Sequence, residues 1–171
     1  MALDERTLKP LIDSKVIKDV VDMFTPAAEL TVEYGGKKVT NGVEISPADA
    51  SEKPRFEFIF HGPSKDNLFT LVMVDPDAPH PHQPTMREWL HWMVVDIPQG
   101  MHPSKGKEKV EYMGPKPPGG IHRYAFVLFQ QKGLIPKLKF PDARNNFSTM
   151  QFAADNDLGL PVAALYFTSQ K

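Results

Sequence analysis

Proline placement constrains this chain more than any other feature. Seventeen prolines occur in 171 residues, and most fall between apolar runs rather than inside them. Proline fixes φ, has no backbone donor and disrupts regular hydrogen bonding from within. A chain punctuated this way reads as many short strands joined by stiff loops. The strand-like runs are 30–34, 37–40, 55–60, 68–74, 91–97, 124–131 and 162–168. Phe56, Phe58 and Phe60 alternate with Glu57 and Ile59, as in a half-buried strand. Tyr34-Gly35-Gly36-Lys37 reads as a hairpin turn.

The N-terminal segment differs. Leu8, Leu11, Ile12, Val16, Ile17, Val20, Val21 and Phe24 recur at helical spacing, with Pro26 just beyond. One amphipathic helix over 8–24 is therefore expected, and a second short helix over 147–157. No internal repeat or linker divides the chain, so residues 1–171 read as one mainly antiparallel β domain with peripheral helices.

Composition narrows the function. Hydrophobic residues make up 41% of the chain, enough for a packed core, and no apolar run approaches the roughly 18 residues of a membrane helix. The opening MALDERTLKP has acidic residues and no apolar core, so no secretory leader is expected. Zero cysteines exclude disulfides, zinc thiolate sites and thiol chemistry, and fit a reducing compartment. A net charge of −1 gives no reason to expect direct nucleic-acid binding. Two groups of basic residues, Lys105, Lys107, Lys109 and Lys116, then Lys132, Lys137, Lys139 and Arg144, read as solvated surface.

Two distant stretches carry the chemistry. Asp75-Pro76-Asp77-Ala78-Pro79 follows a strand directly, and its prolines stiffen the loop, which lowers the entropy lost on binding. Arg87-Glu88-Trp89-Leu90-His91 and Gly120-Ile121-His122-Arg123-Tyr124 each place a histidine at the head of an apolar strand. Alternation puts Tyr124 on the same strand face as His122. Asp75 near the two histidines would orient them and favour their protonated forms. Gly114, Gly119 and Gly120 leave room for backbone N–H groups to approach an oxyanion. The set suits a phosphate or carboxylate and contains no evident nucleophile. Asp77 is expected to bond loop backbone, Glu88 to pair with Arg87 or Arg123, and Trp89 and Trp92 to form core or pocket wall.

Three functions fit these residues. The first is a non-enzymatic binding module with an anion pocket. The second is a phosphoester-processing enzyme using Asp75, Asp77, Glu88, His91 and His122. Against it, the sequence has no Gly-x-Ser-x-Gly elbow and no His-Glu-x-x-His zinc spacing. The third is a phospholipid carrier, though no long basic amphipathic segment favours strong membrane docking. His80-Pro81-His82 reads as an exposed loop rather than a metal site, and no metal or cofactor is expected.

In this order and spacing the two motifs resemble the signatures of the phosphatidylethanolamine-binding protein family. The resemblance spans nearly the whole chain, including the N-terminal helix and the ending from Asp157 to Phe167. It implies a central antiparallel sheet, a second small sheet and peripheral short helices. Asn41-Gly42, the run 71–77 and Asp96-Ile97-Pro98 are similar to the plant branch. Trp89, where florigen-like members carry tyrosine and terminal-flower-like members histidine, resembles the mother-of-FT-and-TFL type. The loop 133–144 likewise lacks the florigen segment bearing tyrosine and tryptophan.

The resemblance implies a pocket for phosphate or a phospholipid head group built from Asp75, Trp89, His91, Gly114, Pro115, His122 and Tyr124. It also implies cis peptide bonds among those preceding Pro76, Pro79 and Glu88. Plant members act as regulators of flowering or seed germination, in cytoplasm and nucleus, by joining a 14-3-3 adaptor bound to a phosphorylated bZIP transcription factor. Arg55 and Pro98 match adaptor-facing positions. Lys105 stands where that surface has an aromatic and Leu134 where it has an arginine, so weaker adaptor binding is expected. Nothing in the sequence calls for an obligate dimer, and a monomer is expected.

Overall fold

The computed structural model describes residues 5–63 and 66–171. Among these residues nine strands form two sheets. In chain order these are β1 (Ala28–Tyr34), β2 (Lys37–Lys38), β3 (Val43–Glu44), β4 (Arg55–Phe60), β5 (Leu68–Asp75), β6 (Trp89–Pro98), β7 (Lys107–Val110), β8 (His122–Gln130) and β9 (Ala163–Ser169). The small sheet has the order β2-β1-β4, the large one β3-β9-β8-β5-β6-β7. Every pairing is antiparallel except β3 with β9. The expected architecture of a central sheet, a second small sheet and short helices is the one observed.

Alternation along the central strands builds a core on each face of the large sheet. Phe69, Leu71 and Met73 of β5, with Phe126 and Leu128 of β8, pack against Val32, Phe56 and Phe58 of the small sheet. Val72 and Val74, with Ala125, Val127 and Phe129, face Leu8, Leu11, Val16, Phe24, Phe147 and Phe152 from the helices and loops. Both faces being covered explains why these strands read as unbroken apolar runs. Gly35 and Gly36, at φ 54° and 84°, make the tight turn between β1 and β2, as anticipated.

The N-terminal segment departs from expectation. It forms α1 (Glu5–Asp13) and a separate turn, α2 (Val16–Asp19), rather than one helix. Lys15 adopts a left-handed conformation at φ 65°, which breaks the helix between them. The break is held from outside: the Arg123 guanidinium donates to the Ser14 carbonyl at 2.8 Å and meets Asp19 at 2.9 Å. The apolar stripe is still buried at Leu8, Leu11, Val16, Val20, Val21 and Phe24, while Ile12 is exposed. The short helix expected at 147–157 is α3 (Thr149–Asp155), with Ser148 capping Gln151 N–H. Strands β3 and β7 were not anticipated, because one is two residues long and the other is Lys-Glu-Lys-Val with no apolar alternation.

Register brings the two motifs together. β5 lies between β6 and β8 and runs antiparallel to both, pairing Asp75 with Trp89 and Val74 with both Leu90 and Ala125. The C-terminal end of β5 therefore meets the starts of β6 and β8, although these lie far apart in sequence.

Candidate functional site

At that meeting point is a cavity of about 350 Å³. It is lined by Asp75, His91, Lys116, His122 and Tyr124 with an apolar wall that includes Met86, Trp89 and Met113. In the loops around it the Ala78-Pro79 and Arg87-Glu88 bonds are cis, two of the three anticipated, and the bond before Pro76 is not.

The deepest feature is an ion pair. His122 Nδ1 lies 2.7 Å from Asp75 Oδ2, and His122 Nε2 lies 2.7 Å from the Gly119 carbonyl oxygen. Both partners only accept, so both ring nitrogens must donate and the ring is an imidazolium. Burial pushes His122 down, but the Asp75 hydrogen bond and charge outweigh it and raise its pKa. The other Asp75 oxygen accepts the Asp77 backbone N–H at 2.7 Å. Pair and loop thus fix each other.

His91 differs. Its Nδ1 donates to the Met113 carbonyl at 2.6 Å, which leaves Nε2 without a protein partner among the described residues. Burial holds its pKa below the usual range. At neutral pH it is a neutral ring with a lone pair on Nε2. Tyr124 packs edge-on to His91 at 5.2 Å and parallel to His122 at 6.3 Å. Its hydroxyl is buried and makes no well-formed hydrogen bond among the described residues, although the Asp75 carboxylate lies near it. Burial, then the Asp75 charge, raises its pKa, so it remains a neutral donor.

Charged groups behind the cavity hold the loops. Asp77 receives the Arg123 backbone N–H at 2.8 Å and its guanidinium at 2.8 and 2.9 Å. Burial pushes Asp77 up, but those bonds and charges hold it below the usual carboxylate range. Glu88 does not pair with Arg87 or Arg123, contrary to expectation. It is buried beside α3 and accepts the Thr149 hydroxyl at 2.5 Å and the Thr149 N–H at 3.2 Å. Burial pushes its pKa up to about 8.

Five of the residues singled out for the pocket, Asp75, Trp89, His91, His122 and Tyr124, line the cavity; Gly114 and Pro115 do not. A side chain at Gly114 would meet the Ala50 carbonyl at 2.8 Å, so this glycine serves close packing. Gly120, at φ 75°, packs against Pro81, and Gly119 presents its carbonyl to His122. Gly119 thus offers His122 an acceptor, and none of the three glycines is among the residues lining the cavity. Trp92 is core, donating to Glu108 at 2.8 Å. His80 and His82 lie in a loop, and no cluster suited to a metal ion occurs among the described residues. Arg55 is exposed and pairs with Glu57 at 2.9 Å, while Pro98 is half-buried at the end of β6.

Two of the basic residues expected on the solvated surface also have roles at the site. Lys116 is exposed and lines the cavity rim. Arg144 donates to the Leu90, His91 and Glu111 carbonyls at 3.0, 3.2 and 2.7 Å, fixing the backbone that carries His91. No local sequence signal marks either one.

Comparisons with known proteins agree with this architecture. The family described as phosphatidylethanolamine-binding protein matches residues 21–167. The chain is 46% identical over 168 residues to TERMINAL FLOWER 1 of Arabidopsis thaliana, covering 97% of this chain and 93% of that protein. It is equally identical, 46% over 168 residues, to MOTHER of FT and TFL1 homolog 2 of Oryza sativa subsp. japonica, covering 97% and 95%. A solved carboxypeptidase Y inhibitor, in complex with its cognate proteinase, superposes with TM-score 0.86 at 29% identity, covering 98% and 96%. The chain belongs to the phosphatidylethanolamine-binding protein family.

Proposed function

We propose that this chain is a non-enzymatic plant developmental regulator whose cavity binds a phosphate-like anion. The observation that carries the anion reading is the pairing pattern. His122 and Asp75 satisfy each other, while among the described residues His91 Nε2 has no protein partner and the Tyr124 hydroxyl, close to Asp75, makes no well-formed hydrogen bond. A phosphate oxygen beside them would accept from Tyr124 and, once His91 is protonated, from Nε2. Acid–base catalysis needs groups free to change protonation against a substrate. Both Asp75 oxygens and both His122 nitrogens are already engaged.

The regulatory half of the reading rests on TERMINAL FLOWER 1, a relative named for flowering and covered almost end to end. Identity is equal to terminal-flower and mother-of-FT relatives, so the choice of the latter type rests on Trp89. The partner we assign is a 14-3-3 adaptor carrying a phosphorylated bZIP factor, docked near Arg55 and Pro98, in cytoplasm and nucleus. Lys105 and Leu134 are both exposed and depart from that surface.

The cavity holds a head group with its phosphate more readily than acyl chains, which favours a binder over a bulk lipid carrier. Calorimetric titration of inorganic phosphate and phosphorylethanolamine into wild type and His91→Ala tests the pocket. Weaker binding by the variant is expected; equal heats would contradict the assignment.

A further inference from the structure

Charge accounting inside the cavity points to a residue that the pairing pattern alone does not. Four formally chargeable groups other than Tyr124 line it: Asp75, His91, Lys116 and His122. The imidazolium of His122 is neutralised by Asp75 at 2.7 Å, so this pair offers an incoming anion no net charge. His91, with Nδ1 committed to the Met113 carbonyl, is uncharged until Nε2 takes a proton. Lys116 is exposed at the rim and has no ion-pair or hydrogen-bond partner among the described residues. Among the described residues it is the only cation lining the cavity that the protein leaves uncompensated.

We propose that Lys116 supplies the standing positive charge of this cavity and makes it select a phosphate monoester over a diester. The inference rests on the anion reading of the site given above. A bound phosphate faces the Lys116 ammonium and His91 Nε2, and the second can satisfy an oxyanion only when it carries a proton. Those two positive charges match the two negative charges of a monoester. A diester, with one negative charge, is matched by Lys116 alone: it either leaves the bare Nε2 lone pair of a neutral His91 facing an oxyanion or, if His91 takes a proton, leaves one positive charge unbalanced beside the apolar wall of Met86, Trp89 and Met113. Without Lys116, the monoester loses its partner and the preference narrows.

The test compares phenyl phosphate with methyl phenyl phosphate, which share the ring and differ by one charge. Both are titrated at pH 7 into wild type, Lys116→Gln, Lys116→Arg and the control Lys37→Gln, whose residue lies on β2 away from the cavity. Wild type is expected to bind the monoester about tenfold more tightly than the diester, since a second charge-assisted hydrogen bond adds roughly that factor. Lys116→Gln should weaken monoester binding about fivefold, the scale of an exposed charge pair. Lys116→Arg should restore it and Lys37→Gln should leave it unchanged. If wild type binds but Lys116→Gln matches it, the role of Lys116 is overturned while the anion cavity stands. Equal or tighter binding of the diester overturns the selectivity. Failure of wild type to bind either compound removes the cavity reading and this inference together.

Discussion

His122 Nδ1 and Asp75 Oδ2 lie 2.7 Å apart in a pair with almost no solvent exposure, at the point where β5 and β8 come into register. The pair joins the two signature loops. Because Gly119 accepts from the other ring nitrogen, His122 is held as a cation rather than left free to donate to a ligand.

Removing one member of that pair leaves the other buried and uncompensated. Asp75→Asn should destabilise the protein by about 3 kcal/mol in chemical denaturation, the usual cost of breaking a buried pair from one side. The folded pKa of His122 is raised, so its stabilising contribution is complete below the unfolded value of about 6.5 and is lost as pH rises through the folded one. The stability difference between wild type and His122→Gln should shrink as pH rises through that window.

His91 titrates in the opposite sense. Burial lowers its folded pKa, so acid destabilises the fold through this group as pH falls below about 6.5. An anion at Nε2 reverses the preference and must bring a proton with it. Phosphate affinity should therefore fall as pH rises, by at most tenfold per pH unit. Calorimetry in buffers of different ionisation enthalpy should show about one proton taken up per anion bound.

Glu88 provides a control that lies outside the cavity. Its folded pKa near 8 lies far above that of an unfolded glutamate, so its stabilising contribution is complete at low pH and is lost as pH rises through 8. Glu88→Gln, which stays neutral, should be more stable relative to wild type at pH 8.5 than at pH 5. Denaturation midpoints at the two pH values would show it.

Arg123 ties three segments together: Asp77, the Ser14 carbonyl and Asp19. Arg123→Ala should cost about 2 kcal/mol, because Asp77 and Asp19 are then left with their longer 3.5 Å ion pairs to Arg87. It should also speed amide exchange across residues 14–20 before global unfolding. Exchange confined to other segments would contradict this role.

The adaptor assignment makes a separate prediction. Lys105 is exposed in the turn Pro103–Lys105, at the position where an aromatic anchor would stand. Lys105→Phe should increase capture of 14-3-3 carrying a phosphorylated bZIP peptide in a pull-down, since buried aromatics anchor interfaces. Unchanged capture would place Lys105 outside any such interface.

Much of this molecule was legible before its structure. Apolar runs bounded by proline and glycine mark the central strands, because each is buried on both faces and ends where a proline removes a donor. The pocket residues Asp75, His91, His122 and Tyr124 stand out because polar groups beside buried strands sit at strand ends. Long-range determinants were not legible. Arg123 breaks the N-terminal helix from more than a hundred positions away, and Thr149 claims Glu88 from α3. Lys116 and Arg144 look like surface residues in sequence, because only the folded loops carry one to the cavity rim and the other onto the His91 backbone.

The most direct test of the account is histidine-resolved nitrogen NMR of the ring signals, with and without phosphate. His122 should be doubly protonated in both states and barely shift, while His91 should pass from neutral to protonated as phosphate binds. Phosphate binding that leaves His91 unprotonated, or a His122 ring that is neutral at pH 7, would contradict it.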